Sequence, residues 1–244
     1  MFAVCSLSCG EEYKKIVNYG RLNKINYCKR HNYVFIEDEK YIDQSRDLPW
    51  SKIPLLRQYL SQYDYILWLD ADTYITNPAI SIQDMIEKMG NNLIMYQKDP
   101  FIWVNTGFIL FKNDTFCHTF LEECYKHTDQ ICWEQGAIDL LYRMNWNGSQ
   151  SRIKILEHSE GFNQYWHTWN PENFLIHFPG CHEPELKTDA LDLMMKRFCP
   201  YRREEETEEE YRQRKNSIQV EILQKEYEEC RNRGKCLPLL LYNL

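Results

Sequence analysis

Residues 66–76 read ILWLDADTYIT: an uncharged run, two aspartates one residue apart, then a return to apolar and threonine positions. A strand buried on both faces reads as a continuous apolar run, and open α/β sheets bind ligands at the carboxyl ends of such strands. Asp70 and Asp72 therefore stand where a functional side chain belongs. In an extended segment side chains repeat every two residues, so both carboxylates are predicted to face one cleft. Held together they repel, and a divalent cation bound by both relieves the repulsion. Hard oxygen ligands select Mn²⁺ or Mg²⁺, which keep positions open for phosphate oxygens. The structural alternative is one aspartate capping the next turn while the other is solvated.

Two other D-x-D motifs are tested by spacing. A calcium loop starting at Asp70 requires Gly at 75 and Glu at 81, where the chain has Ile75 and Ser81. A phosphatase of the haloacid-dehalogenase type carries its D-x-D-x-T/V after the first strand. Here Thr73 comes one residue early, Tyr74 fills the key position, and the motif follows the third predicted strand, which weakens that reading.

Outward from this motif, short apolar runs alternate with amphipathic stretches, the rhythm of a mixed, mostly parallel α/β sheet flanked by helices. Strands are predicted at 2–7, 33–37, 65–69, 92–96, 106–112, 153–156 and 173–178. Helices are predicted at 11–31, with Ile16, Tyr19, Asn23 and Tyr27 on one side, and at 52–63, 114–127 and 133–144. Residues 1–200 form the predicted domain. Residues 201–244 are a charged stretch, read as a long surface helix, followed by the apolar tail CLPLLLYNL, which is predicted to dock on the domain or on a second subunit as a homodimer.

Composition narrows the function classes. A net charge of -7 without a long Lys/Arg run argues against a nucleic-acid surface. Residues 1–15 lack the basic start and the apolar length of a signal peptide, and no run of about 18 apolar residues exists to span a membrane. None of the ten cysteines forms a C-x-x-C pair, so reduced, mostly buried thiols in a cytoplasmic protein are expected. The sequons at Asn113 and Asn147 would then meet no glycosylation machinery.

Six ordered segments, NKINYCKRHNYVFI, WSKIPLLRQYLSQYDYILWLDADTYI, WVNTGFILFKN, WEQGAIDLL, FNQYW and HFPGC, together resemble the GT-A-type (Rossmann-like) glycosyltransferases of the fungal galactosyl- and mannosyltransferase and plant xyloglucan xylosyltransferase family. The resemblance spans roughly residues 2–182. It implies a metal-dependent transferase moving a hexose or pentose from a nucleotide sugar, UDP-linked, to a hydroxyl of a glycan acceptor, with retention. Asp70, Asp72 and His177 would hold Mn²⁺, with Asp70 also reaching the donor. Lys52, Asn105, Thr106, Gly107, Gly180 and His182 would contact the donor, and Glu134 with Gln135 would line the reaction centre.

The chain departs from the family in three places. Trp133 stands where the family often has a first acid, His182 where plant members have a lysine, and no amino-terminal membrane anchor is seen. The last suggests a stripped domain of the kind that bacteria and large DNA viruses carry. Each assignment has a structural counterpart: His177 as a satisfied core histidine, Lys52 as a solvated helix residue, Glu134 as a helix-start acid. The stretch FNQYWHTWN at 162–170 is read as the floor on which an acceptor sugar lies, against plain core. A phosphatase and a catalytically silent nucleotide-sugar binder remain the competing functions.

Overall fold

The computed structural model describes residues 1–98, 104–127, 132–165, 168–170 and 172–179, with residues 207, 209, 210 and 213. The predicted charged helix and apolar tail lie almost wholly outside the described residues, as do Gly180 and His182.

The chain alternates strands and helices: β1 (Phe2–Cys5), α1 (Glu11–His31), β2 (Val34–Ile36), α2 (Lys52–Tyr59), β3 (Tyr65–Leu69), β4 (Thr73–Ile75), α3 (Ile82–Met89), β5 (Ile94–Gln97), β6 (Asn105–Lys112), α4 (Thr115–Lys126), α5 (Trp133–Arg143), β7 (Ile153–Leu156), β8 (Gln164–Tyr165) and β9 (Leu175–His177). Six strands form a sheet in the order β2-β1-β3-β6-β5-β7. β6 runs antiparallel to both its neighbours, and the remaining pairs are parallel. A small second sheet, β4-β9-β8, stands at the end of β3.

The period of two along β3 and β6 explains why both read as unbroken apolar runs. Ile66, Trp68, Ile109 and Phe111 point into one core with Leu55, Phe120 and Ile138 of the α2, α4 and α5 layer. Leu67, Leu69, Phe108 and Leu110 point into the opposite core with Tyr27, Met85 and Phe174. Covered on both faces, the sheet presents its functional side chains only at its strand ends.

Local chemistry sets several boundaries. Asp114 caps α4 by accepting from the Phe116 amide at 2.8 Å, so the first sequon is a helix start. α3 begins with a capping box between Ser81 and Asp84; this helix, β4 and β8 were not among the predicted elements. The face of α1 also differs from expectation. Its buried residues are Val17, Gly20, Asn23, Lys24, Tyr27 and Cys28, while Ile16 and Tyr19 are only half-buried, because a lysine found partners inside.

The cysteines match the reduced reading where described: Cys5, Cys28, Cys117 and Cys124 are buried, Cys9 and Cys132 half-buried, and all six are free. Burial pushes the Cys28 thiol up to about 12, leaving it an inert core group. Among the described residues no helix is long and apolar enough to cross a membrane.

Candidate active site

Asp70 closes β3, and its amide donates to the Gly107 carbonyl of β6 at 3.0 Å. The D-x-D is not extended, as the two-residue repeat suggested. The Thr73 amide and hydroxyl donate back to the Asp70 carbonyl at 3.2 and 2.7 Å, making residues 70–73 a turn. It is this turn that sends both carboxylates to one side.

The turn leads into β4, which pairs antiparallel with β9 so that Thr73 faces His177. The His177 Nε2 thereby comes to 3.4 Å from Asp72 Oδ1 and 3.9 Å from Asp70 Oδ2. One potential ligand atom from each of the three residues lies within 4.8 Å of the others. Donors sharing an octahedral ion at about 2.1 Å stand roughly 3–4.2 Å apart, and both histidine separations fall in that range. Two carboxylates and an imidazole therefore fit a divalent cation of the Mn²⁺ type.

The tautomer that a metal needs is set by a polar chain. Asn163 Nδ2 donates to Asn105 Oδ1 at 2.7 Å, which turns its Oδ1 toward His177 Nδ1 at 3.0 Å. Nδ1 is then the protonated nitrogen, and the Nε2 lone pair faces the carboxylates. Asn105 is itself oriented by donating to the Tyr165 hydroxyl at 3.1 Å and accepting from the Gly107 amide at 2.9 Å. Gly107 is required by contact: a Cβ there would lie 2.3 Å from His177 Cε1 and 2.7 Å from Nδ1.

A second network joins this cluster to α5. Lys52 is buried at the start of α2 rather than solvated. Its Nζ reaches Asp70 Oδ1 at 3.1 Å, Glu134 Oε1 at 2.6 Å, and the Thr106 carbonyl and hydroxyl at 3.0 Å each. Burial alone would lower its pKa, but the charges of Asp70 and Glu134 outweigh it and hold the amine above its ordinary value. Trp68 Nε1 also donates to Asp70 Oδ1, at 2.6 Å. Gln135 Oε1 accepts from the Thr106 amide at 3.1 Å. Glu134 is 2 % exposed, and its Oε2 is buried with no hydrogen-bond partner among the described residues. A carboxylate oxygen left unpaired at such depth is costly unless a ligand supplies the donor.

Both networks line one cavity of about 610 Å³, which Tyr13, Trp133 and Pro179 help to enclose. Lys52, Asp70, Asp72, Asn105, Thr106, Glu134, Gln135 and His177 all contribute to its wall, while Gly107 stands behind His177. The sequence reading missed Tyr13, whose hydroxyl hydrogen-bonds Asp72, and whose phenol is pushed up by burial and by the two aspartates. It also missed Asn163 as the orienting partner of His177.

The expected acceptor floor at 162–170 is corrected at Asn163, Gln164 and Trp169. Trp169 is 1 % exposed and donates its indole N–H to Thr76 at 2.8 Å, so it is core. Asn163 and Gln164 are buried and committed to internal bonds. Among the described residues of this stretch, only Tyr165 lines the cavity. Trp166 and His167 lie outside the described residues.

Residues 4–89 match the model of the galactosyl transferase GMA12/MNN10 family. A rice protein (Oryza sativa subsp. indica) named "Probable glycosyltransferase 2" is 30 % identical over 101 residues, 37 % of this chain and 21 % of that protein. Xyloglucan 6-xylosyltransferase 2 of Arabidopsis thaliana is 28 % identical over 109 residues, 41 % of this chain and 24 % of its own length. The chain thus spans about a fifth to a quarter of the length of these relatives. Among solved structures, a glycosyltransferase involved in the glycosylation of the major capsid of PBCV-1 superposes with a TM-score of 0.61 at 14 % identity, covering 79 % of this chain and 98 % of that one. The segment from β1 to α3 is similar to this glycosyltransferase family, and the fold is that of the GT-A glycosyltransferases.

Proposed function

We propose, from this kinship, that the chain is a metal-dependent glycosyltransferase, moving a hexose or pentose from a UDP-sugar to a hydroxyl of a glycan acceptor. The observation that carries the proposal is the convergence of Asp70, Asp72 and His177 on the wall of a cavity that also holds Glu134 and Gln135. A phosphatase needs a nucleophilic aspartate with a free approach. Here Asp70 Oδ1 is engaged by both Lys52 and Trp68, which suits a ligand-holding role instead.

When bound, a cation of the Mn²⁺ type, or Mg²⁺ in its place, supplies Lewis-acid neutralisation of the departing diphosphate. The rest of the work falls to the protein. Trp68 and Lys52 fix one Asp70 oxygen and leave Oδ2 on the His177 side. Asn163 holds the proton on His177 Nδ1, keeping Nε2 available as a ligand. Glu134, neutralised at Oε1 by Lys52, presents Oε2 to a sugar hydroxyl or to positive charge developing at the anomeric carbon. Asn105 and Thr106 form the donor-side wall from β6, Gly107 behind them leaves room for the His177 ring, and Gln135 braces Thr106. Gly180 and His182 follow His177 in the sequence and are kept as donor contacts, His182 as a hydrogen-bond donor to the leaving phosphate. Retention of configuration rests on the family resemblance.

Incubation with Mn²⁺ and a panel of UDP- and GDP-sugars tests the proposal through release of free nucleotide. One UDP-sugar is expected to be turned over in a metal-dependent way. Hydrolysis of phosphate monoesters without sugar-nucleotide preference would favour a phosphatase, and tight UDP binding without turnover a silent binder.

A further inference from the structure

Three carbonyls in the segment carrying the D-x-D, those of Ala71, Thr73 and Ile75, point at α1, and each is taken by a helix side chain. Lys24 Nζ donates to Ala71 O at 3.2 Å and to Thr73 O at 2.8 Å. Asn23 Nδ2 donates to Ile75 O at 3.0 Å, and its Oδ1 accepts from the Ile75 amide at 2.7 Å. The other edge of the segment belongs to the β9 side: Phe178 N donates to Asp72 O at 3.1 Å, and Thr76 N to Phe174 O at 2.8 Å. β4 therefore has a strand on one edge and the side chains of a helix on the other.

Lys24 is wholly buried, and among the described residues no carboxylate lies within ion-pair distance of it. An ammonium in such a place is costly to bury, and an apolar side chain of equal length would fill the space without that cost. What the amine adds is two donors on the carbonyls flanking Asp72 and a positive charge behind the two carboxylates. That charge is felt: burial pulls the Lys24 pKa down, and the charges of Asp72, Asp70 and Glu37 resist. The helix is seated close to do this. A Cβ on Gly20 would lie 2.7 Å from Thr73 O and 3.1 Å from Ala71 O, the same two carbonyls.

We propose that Lys24 is a positioning residue for the Asp70, Asp72 and His177 cluster: its grip on both sides of Asp72 aims that carboxylate at His177, and its charge lets two carboxylates stand together before a cation arrives. The inference rests on the metal reading above and assigns it a residue outside the cavity wall.

The test is the Mn²⁺ affinity of the full chain, measured by electron paramagnetic resonance of free Mn²⁺ alongside thermal melting. Lys24→Met keeps the volume and removes donors and charge. It is expected to weaken Mn²⁺ binding by about 10–100-fold, the range seen when groups that orient metal ligands are lost, with a cooperative melt retained. A merely structural role would lower the melting temperature and leave the affinity alone. Gly20→Ala pushes on the same carbonyls and is expected to weaken Mn²⁺ binding in the same direction. Lys24→Met binding Mn²⁺ within twofold of wild type overturns the inference; if that variant does not fold, unchanged affinity in Gly20→Ala does so. Wild type that binds no Mn²⁺ brings down the metal reading first and this inference with it.

Discussion

Gly107→Ala puts the site geometry to its sharpest test, because it adds one methyl at a place with no room. The new Cβ would stand 2.3 Å from His177 Cε1, 2.7 Å from Nδ1 and 3.0 Å from Asn105 Oδ1, where ordinary contact begins at 3.4 Å. The imidazole must retreat by about an ångström. It cannot do so freely: it is 3 % exposed, sits opposite Thr73 in the β4–β9 pair, and is tied at Nδ1 to Asn163. Retreat therefore breaks the Asn163 bond or moves Nε2 out of reach of the carboxylates. We expect Mn²⁺ affinity to fall by about 10–100-fold, as for lost ligand orientation, and stability to fall by about 1–3 kcal/mol from overpacking. Titration with Mn²⁺ and a thermal melt of the apoprotein report the two effects separately. If Gly107→Ala melts at a lower temperature yet binds Mn²⁺ as wild type does, His177 is a packing residue and the three-ligand cluster is not a metal site.

Asp72→Ala is expected to abolish metal-dependent transfer while the melt remains cooperative, since the residue is half-buried at a turn; retained turnover of a UDP-sugar would remove the core of the proposed function. Asn163→Ala releases the His177 tautomer and should weaken Mn²⁺ binding by about 10–100-fold, which a binding isotherm measures directly. Glu134→Gln removes one partner of the buried Lys52 pair and should cost about 3–5 kcal/mol by urea unfolding; a loss below about 1 kcal/mol would mean that Asp70 alone satisfies the amine. Mn²⁺ at about 100 times its dissociation constant should stabilise the wild type by about 2.7 kcal/mol, visible as a raised melting temperature that a chelator reverses.

The sheet was legible because burial on both faces erases the polar half of a strand's pattern. YILWL and TGFILFK read as strands for that reason, and β3 and β6 are the pair at the centre of the sheet. The pieces that escaped are short or locally specified. β4 and β8 have three and two residues, too few to show a period. α3 announces itself only through the Ser81 and Asp84 capping box, a signal of two side chains. The backbone of the D-x-D escaped for a different reason: D-A-D-T suits an extended segment as well as a turn, and the choice was made by Thr73, whose amide and hydroxyl both return to the Asp70 carbonyl.

The groups that face the cavity and those that hold them in place were not equally visible. Asp70, Asp72, Glu134 and Gln135 carry chemistry in their own side chains at marked positions, so sequence singles them out. Lys52 is marked too, as a donor contact, but its tie to Glu134, 82 positions away, is not; Lys24 and Asn163 act only on other residues, with partners 47 and 14 positions away. A helical pattern assigns a lysine to water by default; Lys24 is inside only because a three-residue strand leaves carbonyls at Ala71 and Thr73 that need donors. The same accounting runs through Lys52, whose burial is tolerable because Asp70 and Glu134 are there to meet it. Buried cations at this site are thus consequences of the carboxylates and bare carbonyls that the site requires. In the proposed site the side chains that prepare the two aspartates for a cation are themselves cationic, Lys24 behind them and outside the cavity, Lys52 beside Asp70 on the cavity wall.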